Sequence, residues 1–272
     1  MSHERPFYAS SVSRESLMTG KSDLFDAHCH LGWFADPAAT ARSAAREGLG
    51  LLAVTVTPDE YLTWREPLAD EANVLLAAGL HPWWVRRPED ADALIAVLPE
   101  ARFVGEVGLD AAPRHAGTWE AQLEAFERIC ATCAETSDPE APKVLSIHAV
   151  RASGAVLDVL ECTGASERCR CILHWFSDSS DDLWRAVRMG CRFSLGERSL
   201  ATRRGREFAR ILPAGLILSE TDLPETEGAQ ACADEVISSL ERTIDAVATA
   251  RGIDSSEVRR LFVDNALSLL DV

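Results

Sequence analysis

From Asp23 onward the chain alternates two kinds of hydrophobic pattern. Short apolar runs recur at "DLFDAHCHL", "GLLAVTVT", "NVLLAAGLH", "RFVGEVGLD", "KVLSIHAV", "CILHWFS", "CRFSLG" and "GLILSETD". Each is followed by a polar turn and then by apolar residues at helical spacing, so the runs predict buried strands. The helical spacing fits Pro37–Glu47, Glu60–Asp70, Pro88–Leu98, Thr118–Thr136 and Ser153–Glu161. It resumes over Ser180–Met189, Arg203–Ile211, Cys232–Ala250 and Ser255–Leu270. Eight buried strands alternating with helices predict a parallel α/β architecture. For 272 residues a single closed (β/α)8 TIM barrel fits best, with an open doubly wound sheet as the alternative. No linker-like stretch interrupts the series, so residues 23–272 are expected to form one domain. Residues 1–22 are polar, lack the apolar core of a signal peptide, and are expected to be a flexible N-terminal extension.

Composition narrows the function. A hydrophobic share of 47% is enough for a substantial core. The formal net charge of -16 argues against a general nucleic-acid coat or an anionic membrane surface. It leaves a nuclease open, because bound cations can invert the field locally. No apolar run approaches the roughly 18 residues of a membrane span. Eight cysteines in a chain of this length are no disulfide framework, and Cys130 and Cys133 fall inside a helical pattern. Reduced thiols in a cytoplasmic protein are therefore expected. Of the 27 basic residues only Lys21 and Lys143 are lysines.

The candidate chemistry lies at the strand ends. In "LFDAHCHLGW" Asp26, His28 and His30 occupy every second position and would share one face of a strand. Glu106 in "VGEVGLD", His148 in "LSIHAV", His174 in "CILHWF" and Asp222 in "SETDLP" fall near the ends of later strands. In a parallel barrel those ends converge on the catalytic face. Four imidazoles and two carboxylates suit two divalent ions sharing a carboxylate. A cation would also explain why a buried strand carries histidines.

The pieces "FDAHCHL", "GLHPW", "VGEVGLD", "IH" at Ile147 and His148, "HWFS", "SETDLP" and "NALSLL" run in order from Leu24 to Leu270. Together they resemble the TatD family of metal-dependent deoxyribonucleases, among the amidohydrolase-like barrels. The resemblance implies phosphodiester hydrolysis, often exonucleolytic on DNA, with His28, His30, Glu106, His148, His174 and Asp222 as ligands. It makes Glu106 the expected bridging ligand and Asp222 the expected proton acceptor, with zinc, manganese or magnesium as the ions. Asp26 and Glu220 would orient imidazoles or loops. The chain departs from the family pattern where His148 is followed by Ala149 and Val150 rather than Ser-Arg, and where Trp83 and Trp84 follow "HP". The ligand set is complete while substrate-facing positions differ.

For substrate, DNA single strands or ends are expected. Trp83 and Trp84 could stack on bases and Arg86 and Arg87 hold phosphates. Arg203, Arg204 and Arg206 lie in "ERSLATRRGREFAR", the densest basic stretch, after strand seven. Two alternatives remain: a related hydrolase of C–N or other ester bonds, and a docking subunit of a multi-protein bacterial antiviral defence complex.

Overall fold

The computed structural model describes residues 23–230 and 233–270, so the predicted extension over residues 1–22 lies outside the described residues. Eight parallel strands form the centre: β1 (Leu24–Cys29), β2 (Leu49–Ala53), β3 (Val74–Leu76), β4 (Phe103–Asp110), β5 (Val144–Val150), β6 (Arg170–His174), β7 (Arg192–Leu195) and β8 (Ile217–Ser219). They pair in sequence order within two ladders, β1-β2-β3 and β4-β5-β6-β7-β8. Backbone hydrogen bonds close both seams. Ala78 N–H donates to Phe103 O (3.0 Å) and Leu80 N–H to Glu106 O (3.0 Å) beside β4. Asp222 N–H donates to His28 O (2.9 Å) and His30 N–H to Leu223 O (2.8 Å) between β8 and β1. The sheet is a closed α/β barrel.

Around it run α1 (Pro37–Glu47), α2 (Pro58–Arg65), α3 (Asp92–Val97), α4 (Trp119–Thr136), α5 (Ser153–Cys162) and α6 (Ala165–Arg168). The series continues with α7 (Ser180–Arg188), α8 (Glu197–Ala201), α9 (Arg203–Ile211), α10 (Ala233–Arg251) and α11 (Ser255–Leu270). Local chemistry sets several starts. Asp36 and Thr57 accept from the backbone N–H groups of Ala39 (2.9 Å) and Glu60 (3.2 Å), and proline opens both helices. At the other end of α1, Gly48 takes φ 78°, a left-handed stop that a side chain would disfavour. The predicted Glu60–Asp70 helix starts two residues earlier and ends at Arg65, and Pro88–Leu98 divides into a 3-10 turn and a short α-helix.

Two apolar layers hold the barrel. One packs the outer strand faces against the helices. The other takes Phe25, Leu52, Leu75, Phe103, Val144, Ile172 and Leu218 from seven strands and joins them to Val263, Ala266 and Leu267 of α11. Phe25, Phe103 and Val144 sit at or next to the starts of their strands, so α11 packs toward the end opposite the strands' C-termini. Arg102 secures this packing, its Nη2 donating to Leu270 O at 2.9 Å. No helix of the described residues is long and apolar enough to cross a membrane.

Candidate metal centre

Glu106 lies in the middle of β4, not at its end, and is 2% exposed. Its two carboxylate oxygens face different groups. Oε2 is 3.4 Å from His28 Nε2 and 3.5 Å from His30 Nε2. Oε1 is 2.8 Å from His148 Nδ1, 3.0 Å from His174 Nε2 and 3.3 Å from His81 Nε2. Asp222 adds a second carboxylate on the first side, its Oδ1 3.3 Å from His30 Nε2 and 3.7 Å from His28 Nε2. All five imidazoles are buried. His28, His30 and Asp222 form one group with the spacing of a cation site, and His81, Glu106 and His148 another.

The backbone that carries these groups departs from simple strand geometry. Pairing of β1 with β2 slips between Asp26 and Cys29, and His30 stands beyond the strand, so the expected run of alternate positions through Asp26, His28 and His30 is interrupted. Asp222 lies three residues past β8 at φ 57°, a region that non-glycine residues occupy sparingly. Asp26 secures the junction. Its Oδ1 accepts from the backbone N–H groups of His28 (3.1 Å) and Thr221 (3.0 Å), and its Oδ2 accepts from the Thr221 hydroxyl (2.5 Å). Burial raises the Asp26 carboxyl to about 7 despite these donors. Glu220 accepts from the Ser194 hydroxyl (2.5 Å) and from Trp175 N–H (3.1 Å), and sits 3.6 Å from His174 Nδ1. Ser146 meets His28 Nδ1 at 2.8 Å, so His28 presents its other nitrogen, Nε2, to the carboxylates.

The electrostatics are those of a site built for positive charge. Burial alone would raise Glu106, yet His81, His174 and His28 outweigh it and hold the carboxyl well below its usual range. Burial would lower His174, but Glu106 and Glu220 raise it well above the usual imidazole value. His81 goes the other way, lowered to about 4 by burial against the pull of Glu106. His28 Nε2 and His148 Nε2 are buried without a hydrogen-bond partner. Orphaned imidazole nitrogens beside ionised carboxylates match the donor set of a divalent cation.

The cleft above this cluster has a volume of about 630 Å³ and is walled by Trp33, Val56, Trp83, Trp84, Trp175, Arg114 and Arg198, among others. The predicted substrate residues divide here. Trp83 and Trp84 line the cleft. Trp83 is already engaged: its Nε1–H donates to Asp110 (2.6 Å), and the Arg114 guanidinium lies 4.7 Å from its ring. Arg86 and Arg87 do not line the cleft. Both of their backbone N–H groups donate to Asp90, at 2.8 and 3.1 Å, and the Arg87 Nε reaches the same carboxylate. Arg203, Arg204 and Arg206 lie on α9 and do not line the cleft. Arg204 donates to Ser177 O (2.9 Å) and Arg206 to Leu200 O (2.8 Å) and Ala201 O (2.9 Å). Helix phase sends that stretch outward, and only Arg198 and Thr202 of it reach the cleft. Replacing Arg203, Arg204 and Arg206 with glutamine is therefore expected to leave the salt dependence of DNA binding unchanged. It should lower stability by about 1 kcal/mol for each lost bracing contact, read from denaturant unfolding. A shallower salt slope would return these arginines to a phosphate path.

Several residues with site contacts escaped the pattern reading. His81 falls in "GLHPW", at the end of the third apolar run, and the same strand-end logic that singled out His148 would have found it. Asp110 is buried, and its Oδ2 lies 3.5 Å from His148 Nε2. Arg198 of α8 bridges Asp222 (3.3 Å) and Glu225 on the segment after β8, a contact that no local signal marks.

The family described as "TatD related DNase" matches residues 25–271. The chain belongs to that family. It is 25% identical over 264 residues to human deoxyribonuclease TATDN3, covering 90% of this chain and 94% of that protein. It is 26% identical over 265 residues to the Escherichia coli K12 protein named uncharacterized metal-dependent hydrolase YcfH, covering 92% and 96%. Among solved structures, the TatD homologue YjjV of Escherichia coli K12 superposes with a TM-score of 0.76 at 19% identity, over 92% of this chain and 99% of that one. As a TatD-family member the chain is a metal-dependent hydrolase, and its barrel is the fold of those neighbours.

Proposed function

We propose that the protein is a deoxyribonuclease that cleaves phosphodiester bonds at a centre of two divalent cations. The observation that carries this reading is the division of the Glu106 carboxylate, with Oε2 toward His28 and His30 and Oε1 toward His81, His148 and His174. A carboxylate that offers one oxygen to each imidazole group could be shared by two cations. His28, His30 and Asp222 would hold one ion; His148, His174 and His81 would hold the other. Five imidazoles favour zinc or manganese over magnesium. The cations would supply Lewis acidity toward the phosphoryl oxygen and a water of lowered pKa. The names of the relatives support hydrolysis over the docking alternative.

The chain's own groups then have defined work. Asp222 is held as an anion beside His30 and accepts a proton from the attacking water. Asp26 keeps the Asp222 backbone against β1 through Thr221. Arg198, whose Nη1 lies 3.3 Å from Asp222 Oδ2, replaces the predicted arginines as the cation placed to meet a phosphate. Glu225 holds its other terminal nitrogen until substrate arrives.

The test is digestion of end-labelled single- and double-stranded DNA by protein stripped of metal and reloaded with zinc, manganese or magnesium. Metal-dependent shortening of the strand is expected; no cleavage with any loaded metal would overturn the proposal. In the same assay Arg198→Gln should raise KM about tenfold or more, the loss of a charge-assisted contact.

A further inference from the structure

A second cleft, of about 400 Å³, opens beside the first. Trp33, Val56 and Trp84 line both, so the two are neighbours across a shared wall. The remaining lining differs in character from the metal cleft. It brings in Trp64, Glu60 and Glu227 and carries no arginine or lysine.

Two polar atoms of this lining lack partners. Glu60 Oε1 and Trp33 Nε1 are buried with no hydrogen bond. Ordinary helix capping explains only half of Glu60: its Oε2 accepts from Val56 N–H at 2.7 Å, and its backbone N–H donates to Thr57 Oγ1 at 3.2 Å at the start of α2. Oε1 takes no part in that cap. The wall of the cleft thus holds an unmet acceptor and an unmet donor, both shielded from solvent, beside three indoles. Burial raises the Glu60 carboxyl, the direction expected of an acceptor withdrawn from water.

Trp33 is held firmly. One ring face stacks on His30 at 4.5 Å and 17°, and its carbonyl accepts from Gly228 N–H (2.8 Å) and Ala229 N–H (3.2 Å). Trp84, 43% exposed, is the solvent-facing wall. A group that stacks on indole and offers both a donor and an acceptor along one edge fits this chemistry, and a nucleobase is such a group. The carboxylates of Glu60 and Glu227 repel a phosphate from the same space. The arginines of the adjoining cleft attract one. The pair of clefts therefore separates the backbone of a strand from its base.

We infer that this second cleft is a nucleobase subsite, which takes an unpaired base of the strand whose phosphate lies at the metal centre. The inference rests on the phosphodiesterase reading and names its substrate more closely. A paired base has its Watson–Crick edge occupied, so the subsite selects single strands or frayed ends.

The test is binding of a hydrolysis-resistant phosphorothioate oligothymidylate, followed by tryptophan fluorescence. It is compared with a series in which one base at a time is replaced by an abasic tetrahydrofuran spacer. In the wild-type protein one position of the spacer should weaken binding about tenfold, within the range for loss of one stacked base. Trp84→Ala should abolish most of that penalty. Trp33→Phe, which keeps a ring on His30, and Glu60→Gln, which can still cap α2, should each reduce it about threefold. Equal wild-type affinity for every abasic position would overturn the inference, as would a penalty of the same size in all three variants. Metal-dependent turnover of methyl p-nitrophenyl phosphate, which carries no base, checks the catalytic reading separately. Turnover without a base penalty removes the subsite alone, whereas a base penalty without turnover of this ester or of DNA removes the catalysis and leaves the subsite standing.

Discussion

Asp222→Asn is expected to lower kcat by about 10²-fold or more, the scale of a lost general base, while the protein stays folded. Asparagine nearly preserves the volume and can still offer an oxygen, but it has neither the charge nor the basicity. The native carboxylate is held ionised. Burial would raise it, yet the contact with His30 and the charges of His174, His28 and His30 bring it down to about 2. Because the shift is downward, Asp222 is ionised at every pH above that value, and its contribution is lost only as pH falls toward about 2. An acid limb of the rate near neutrality then comes from other groups: Asp26, raised to about 7 by burial, the imidazoles, or the loaded metal. The measurement is kcat on a short single strand, with metal content and circular dichroism recorded on the same preparation. Turnover close to wild type would remove Asp222 from proton transfer.

Metal removal should act on stability as well as on rate. The candidate ligands come from β1, β4, β5, β6 and the segments after β1, β3 and β8, so a cation there would tie the strands together. At free metal a hundredfold above Kd the stabilisation is about 2.7 kcal/mol for one site. At roughly 2–4 °C per kcal/mol for a domain of this class, chelation should lower Tm by roughly 5–10 °C and abolish hydrolysis. Glu106→Gln should mimic the chelator at both positions, because both imidazole groups share that one carboxylate. His28→Ala should reduce metal content through one position. The variant Glu106→Gln should also be less stable without metal, by about 3–5 kcal/mol if it leaves buried imidazolium uncompensated. Glu106 is depressed, so its stabilising effect is present above the ordinary carboxylate range and is lost as pH falls through its folded value. Identical melting with and without chelator, in protein shown to be loaded beforehand, would sink the metal-site reading.

Much of the architecture was legible in the chain. The eight apolar runs each hold a strand, and α1, α9 and α11 begin and end where their periodicity does, because strand and helix repeats are local properties. The candidate ligands were legible for a related reason: in a parallel barrel, polar residues late in buried strands have one place to go. Strand ends were less so. β1, β3 and β8 stop early because ladder pairing, not hydrophobicity, ends a strand, and this left His30, His81 and Asp222 on the segments that follow.

What the fold alone decided was convergence. That Glu106 turns one oxygen to His28 and the other to His148 depends on how β1, β4 and β5 close around the axis. The arginines show the same division. "ERSLATRRGREFAR" reads as one basic stretch, but the turn between α8 and α9 separates Arg198, at the cleft, from Arg204 and Arg206, which brace backbone carbonyls. Glu60 lies at the start of α2 and Trp33 in the turn after β1; only the tertiary approach of those two segments brings them to one cleft. Composition and periodicity determine which elements form and which face each buries. Which side chains meet is set by contacts between residues far apart in the chain, and no local pattern carries that information.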